Sequence, residues 1–164
     1  MVFRLFAATS LLLFPVLLPA APDLVILVRH AEKEAAPKDD PPLTAAGRER
    51  AAELARVVAV LTAGAPLRAI FTTDYQRTRE TAAPVATAAH VVPITSNDDP
   101  VAKVRAIQGG VVVIVGHSNT LPKFIEALGG TAGVVIEDAE FNHLYLLAAP
   151  GTPRAKLAAV SYGK

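Results

Sequence analysis

Histidine follows an apolar run twice in this chain. Leu24-Val-Ile-Leu-Val28 leads into Arg29-His30-Ala31-Glu32-Lys33, and Val111-Val-Val-Ile-Val115 leads into Gly116-His117-Ser118-Asn119. A third run, Ala69-Ile-Phe-Thr72, leads into Thr73-Asp74-Tyr75-Gln76-Arg77. Two imidazoles on one rim could take a zinc ion, with Glu32 or an Asp as a third ligand. A guanidinium beside His30 and a second one at a helix start argue against that, because they repel a divalent cation and match a phosphate bidentately. The set reads as an anion site that calls for no metal and no cofactor. A phosphate held by Arg29, Arg77 and His117 leaves a neutral His30 free to attack phosphorus in line. Stabilising charge on the equatorial oxygens is then most of the catalysis.

These residues must be brought to one edge. The first two runs are continuous and rich in β-branched residues, the pattern of parallel strands covered on both faces. Ala69-Ile-Phe-Thr72 is a weaker third strand. His90-Val-Val-Pro-Ile94 is a fourth, near an edge because Pro93 cannot donate to a ladder. Thr44 caps a helix to about residue 61, in which Gly47, Ala51, Leu54, Val58 and Leu61 recur at helical spacing. A second helix covers about residues 75–89, and a third about residues 121–128, closed by Gly129-Gly130. Residues 140–149 and 156–162 form one or two strands across the turn Pro150-Gly151-Thr152-Pro153. The alternation predicts the α/β class, a three-layer α/β/α sandwich with a mostly parallel central sheet and right-handed crossovers. Ligands in such sheets bind beyond the carboxyl ends of the strands, where all three motifs fall.

At this point a resemblance emerges. Arg29-His30, Leu43-Thr44-Ala-Ala-Gly47, Thr72-Thr-Asp-Tyr-Gln-Arg77-Thr-Arg-Glu-Thr81 and Gly116-His117-Ser118-Asn119 resemble the histidine phosphatase superfamily, the group that includes phosphoglycerate mutases. The resemblance implies His30 as the phosphorylated nucleophile and Arg29, Arg77 and His117 as the phosphate pocket, with Lys33 and Asn119 as further phosphate-binding candidates. Three departures stand out. The usual Arg-His-Gly is Arg-His-Ala here, which costs a permissive backbone position but no catalytic atom. The acid-phosphatase branch has an Asp directly after the second histidine, where this chain has Ser118. The mutase-like branch uses a Glu beyond the third strand, where only Asp98 and Asp99 are found, so these two are the candidate general acids. An acid is dispensable where the leaving group has a low pKa, as in an acyl phosphate, a phosphoanhydride or phosphohistidine.

The remaining features bound the reading. The chain has 164 residues, enough for one ordinary core. With 16 Lys plus Arg against 15 Asp plus Glu and no basic run, no nucleic-acid surface is expected. Met1-Val-Phe-Arg4, an apolar stretch to Leu18 and Pro19-Ala20-Ala21 have the layout of a secretory signal peptide. Residues 1–21 are therefore expected to be removed on export, with the bacterial periplasm as destination, and residues 22–164 to form the domain. The alternative is a membrane anchor over residues 5–20, a little short for a span and interrupted by Pro15. Absence of cysteine excludes disulfides and thiolate chemistry. His90 and His143 read as structural, Arg79 as solvated, and Glu80 as a partner for an arginine.

Rival functions are weaker. Gly116-His-Ser118-Asn-Thr120 nearly spells a nucleophile elbow with Ser118 as nucleophile, but Thr120 replaces its second glycine, and Asp138 and His143 stand too close together to complete a triad. A protein that only binds a phosphorylated ligand would not need both histidines. A mutase would need a lid to keep water from the phosphohistidine, and the chain has little material for one. The expectation is a metal-independent phosphatase acting on a small phosphorylated substrate, shaped by the loops at residues 34–42 and 96–103.

Overall fold

A six-residue apolar strand without alternation is stable only where helices cover both faces of its sheet. In the computed structural model, which describes residues 21–163, β1 (Leu24–Arg29) and β4 (Val111–Gly116) lie side by side and parallel at the centre. β2 (Leu67–Thr72) pairs parallel with β4, and β3 (Ile94–Thr95) pairs parallel with β2. On the other side, β5 (His143–Ala148) runs antiparallel to β1, and β6 (Lys156–Ser161) antiparallel to β5. The order is β3-β2-β4-β1-β5-β6, a mixed and mostly parallel sheet. Residues 1–20, which hold nearly all of the expected signal segment, lie outside the described residues.

Side chains alternate across this sheet, so each central strand supplies two cores. Ile26, Val28, Ile70, Val113 and Val115 meet Leu54 and Val58 of α1 (Ala45–Leu61) and Ala82 and Val85 of α2 (Gln76–Ala89). Val25, Leu27, Phe71, Val112 and Ile114 meet Val101 and Val104 of α3 (Val101–Arg105) and Leu121 and Ile125 of α4 (Leu121–Ala127). The result is the three-layer sandwich expected. Among the described residues no helix is long and apolar enough to cross a membrane.

Two expectations need correction. The strand at residues 90–94 reduces to Ile94–Thr95, because His90 caps α2 in a left-handed conformation (φ 54°) and Pro93 has no N–H for a ladder. Within the loop expected at residues 96–103, Asp99 Oδ1 accepts from Val101 N at 2.8 Å, and α3 starts there, burying Val101 and Val104.

Helix α1 begins as Thr44 predicts: its hydroxyl accepts from Gly47 N at 3.0 Å. Gly47 has a second role. A Cβ there would lie 2.2 Å from the Glu32 carbonyl oxygen, well inside contact distance. The glycine lets α1 press its first turn against the chain two residues beyond His30, and Thr44 N donates to the same carbonyl at 2.9 Å. Gly47→Ala should therefore lower folding stability by about 1–3 kcal/mol through forced displacement of that backbone. An unchanged urea midpoint would show that the contact relaxes without strain.

Candidate active site

The site grows out of strand register. Arg29 pairs with Gly116 across β1 and β4, so the residues that follow, His30 and His117, leave the sheet side by side. His30 N donates to Gly116 O at 2.9 Å, and the two rings sit 5.3 Å apart, centroid to centroid, nearly edge to face. Arg77 arrives from the first turn of α2, directly beyond β2. Three parallel strands thus deliver the three expected motifs to one rim.

His30 is 3% exposed. Its Nδ1 lies 2.8 Å from Ala31 O, a carbonyl that can only accept, so Nδ1 carries the proton and Nε2 is left with its lone pair. The carbonyl is itself held: Ala31 N donates to Thr81 Oγ1 at 2.9 Å, and that hydroxyl donates to Arg77 O at 2.7 Å. Ala31 does not occupy the left-handed region, and its methyl packs with Leu43 and Ala51. Alanine is thus accommodated where the resemblance leads one to expect glycine.

The proton on His117 can be placed in the same way. Thr78 Oγ1 donates to the Thr73 and Tyr75 carbonyls, at 3.0 and 2.8 Å. In its 2.8 Å contact with Thr73 Oγ1 it must therefore accept, and Thr73 is the donor. That hydroxyl then has only an acceptor left for His117 Nε2, 3.1 Å away, so Nε2 carries the proton. His117 Nδ1 remains for a ligand.

Charge around the imidazoles is positive. Burial first, and then the neighbouring cations, depress both: His30 to about 3, where only the hydrogen bond to Ala31 opposes the fall, and His117 to about 4, with Arg77 and Arg29 as its cationic neighbours. Burial also lowers Arg29, against Asp138 and with Arg77, although an arginine remains charged throughout. Arg29 Nη1 donates to Glu137 O at 2.8 Å and Glu140 O at 3.3 Å, and its guanidinium covers the Phe141 ring at 4.3 Å. Arg77 lies over Tyr75 at 4.1 Å and 3.9 Å from Asp40 Oδ1, which also accepts from Gln76 N. Nε of both arginines is buried without a hydrogen-bond partner among the described residues, a donor pair that suits an oxyanion.

The other candidates lie elsewhere. Lys33 is exposed and pairs with Leu43 through backbone, and Asn119 is exposed in the turn before α4; neither side chain bonds to the four central residues. Asp98 Oδ2 accepts from Ser96 Oγ at 2.9 Å, and Asp99 Oδ1 accepts from Val101 N at 2.8 Å just before α3, so both carboxylates hold turns. Glu32 forms a bidentate pair with Arg50 of α1, and no three His, Cys, Asp or Glu side chains among the described residues are grouped as a metal site. Glu80 accepts from Leu43 N and Gln76 Nε2 and meets no arginine among the described residues, because the chain before Thr44 crosses directly above it. Arg79 pairs with Asp74 at the surface. Residues 137–141 and Thr73, Thr78 and Thr81 complete the site; the threonines were visible inside the third motif, whereas the loop carried no signal.

Acid should weaken this site. When unfolded, both histidines protonate near pH 6.5, but when folded only below about 3 and about 4. The unfolded chain thus takes up more protons on acidification, and stability falls as pH drops from about 6.5 toward 4. His30→Asn should flatten that fall in urea midpoints measured at stepped pH; an identical slope would show that His30 contributes nothing to it.

Residues 25–99 match the model of the Histidine phosphatase superfamily (branch 1). A comparison with curated protein sequences gave no match. Among solved structures, SixA of Agrobacterium tumefaciens is similar at 23% identity and a TM-score of 0.62, covering 87% of this chain and 99% of that one. The protein histidine phosphatase SixA complexed with tungstate is similar at 13% identity and a TM-score of 0.63, covering 84% and 96%. A mycobacterial glucosyl-3-phosphoglycerate phosphatase with inorganic phosphate follows at 13% identity and 0.55, covering 87% and 97%. The matched span carries Arg29, His30, Gly47 and Arg77 in the arrangement described above, so residues 25–99 are similar to that superfamily, and the solved structures share the fold of this chain.

Proposed function

We propose that this protein is a phosphatase that hydrolyses a phosphomonoester or an activated phosphate through a phosphohistidine on His30, without a metal ion. The observation that carries this reading is the fixed tautomer of His30 between two arginines whose buried donors have no partner. Nε2 of His30 attacks phosphorus, the bond to the leaving oxygen breaks, and Nδ1 keeps its proton. The resulting phosphoimidazolium is supported by the Ala31 carbonyl. Water then attacks phosphorus, the P–Nε2 bond breaks, and neutral His30 returns. Arg29 and Arg77 neutralise the equatorial oxygens throughout. His117, neutral when the pocket holds no anion, offers Nδ1 to a protonated phosphate oxygen or, once a phosphate raises its proton affinity, donates from it.

Support from other proteins is of the same kind: neighbours of this fold include phosphatases, one with tungstate and one with inorganic phosphate. Among the described residues Ser118 has no histidine base: its hydroxyl donates to the exposed Asp138 carboxylate instead. Export to a bacterial periplasm with removal of residues 1–21 belongs to the same proposal, and an unprocessed N-terminus on protein recovered from cells would overturn that part.

Purified protein should hydrolyse p-nitrophenyl phosphate with chelator present, and vanadate should inhibit it. His30→Ala should abolish turnover, and Arg77→Ala or His117→Ala should reduce kcat/KM by roughly 10²–10⁴-fold. Full activity in His30→Ala would refute the reading. A serine-reactive fluorophosphonate that labels Ser118 and stops turnover would favour the hydrolase alternative instead.

A further inference from the structure

The four central residues include a nucleophile and an anion pocket, but no carboxylic acid to protonate an alkoxide or phenoxide as it leaves. Asp98 and Asp99 are committed to turns. A different carboxylate stands at the rim. Asp138, in the loop between α4 and β5, places Oδ1 3.6 Å from Arg29 Nη2 and 3.2 Å from Ser118 Oγ. Its side chain is 94% exposed. Ser118 follows His117, the position at which the acid-phosphatase branch carries its own aspartate. The loop is not a casual neighbour: Arg29 Nη1 takes the carbonyls of Glu137 and Glu140 on either side of Asp138, and Phe141 lies against both Arg29 and His30.

We propose that Asp138, positioned by Ser118, is the proton donor to the leaving group in the phosphatase reaction proposed above. Before substrate binds, the carboxylate faces Arg29 as its cationic neighbour. A phosphate on Arg29 removes that cationic neighbour from Asp138 and supplies an anionic one, and both changes favour the protonated carboxyl. The acid therefore forms when a substrate is in place. As Nε2 of His30 bonds to phosphorus and the P–O bond breaks, the carboxyl proton passes to the departing oxygen, which leaves as an alcohol or phenol. Asp138, now a carboxylate, takes a proton from the water that attacks the phosphohistidine, and so returns to its starting state when that proton leaves with the product. Exposure is an advantage here, because a leaving group must depart toward solvent and Asp138 is on that side of Arg29. Esters with poor leaving groups then lie within reach of the enzyme, in addition to the activated phosphates that need no acid.

The test compares kcat/KM of the full chain and Asp138→Asn on p-nitrophenyl phosphate, which leaves unaided, and phenyl phosphate, which does not. The expected result is a loss of about 10²-fold on phenyl phosphate with p-nitrophenyl phosphate and vanadate inhibition close to wild type. Ser118→Ala, which removes a positioning residue, should show the same pattern in weaker form. Equal losses on both substrates would mean that Asp138 acts only by orienting Arg29, and no loss on phenyl phosphate would mean that it donates no proton; either outcome overturns the proposal. So would transfer of the leaving-group dependence to Asp98→Asn or Asp99→Asn. Turnover that survives His30→Ala is a separate failure, of the phosphohistidine reading itself.

Discussion

One hydrogen bond, from His30 Nδ1 to the carbonyl of the next residue, decides what this site can do. It settles which ring nitrogen keeps a free lone pair without any acidic side chain on the imidazole. The geometry depends on where that carbonyl is held, and the surrounding structure is arranged to hold it. Thr81 of α2 fixes the Ala31 amide, while Gly47 lets α1 close on the Glu32 carbonyl one residue further on. Arg50 then clamps the Glu32 side chain. Two helices on the same face of the sheet therefore converge on a three-residue stretch of backbone, which is why His30 is held precisely although it lies past the end of its strand.

The electrostatics follow from the same economy. Two arginines and two histidines in one pocket would repel each other strongly if all four were charged. Burial resolves the conflict by keeping both imidazoles neutral, and the guanidiniums are partly balanced at the rim by Asp40 and Asp138. An arriving phosphate can take over the balancing role from these two exposed carboxylates. A neutral imidazole beside fixed positive charge suits attack on an anion better than a charged one would, since its lone pair is available and the field lowers the cost of bringing phosphate oxygens close.

Much of this could be read from residue order. β1 and β4 were legible because both faces are buried and no polar residue interrupts them. α1 was legible because Thr44 is a cap with apolar residues at helical spacing behind it. His30, His117, Arg29 and Arg77 were legible because each directly follows one of these elements. What escaped notice depends on contacts between segments far apart in the chain. Glu80 looked like a partner for an arginine because helical neighbours are all that spacing reveals, whereas its real partner, the Leu43 amide, is a tertiary neighbour. α3 has only five residues, too few for any periodicity. Residues 137–141 carried no signal because their main service to the site is through carbonyl oxygens, which every residue has.

That last point bears on how such an enzyme can diversify. Arg29 grips the loop chiefly by two backbone carbonyls, so side chains at 137–140 can change without loosening the arginine or disturbing phosphate capture. Substitutions over this segment can therefore leave the arginine and its pocket in place. New substrate preferences can arise there by single substitutions, and alignments of the histidine motifs alone will not register them.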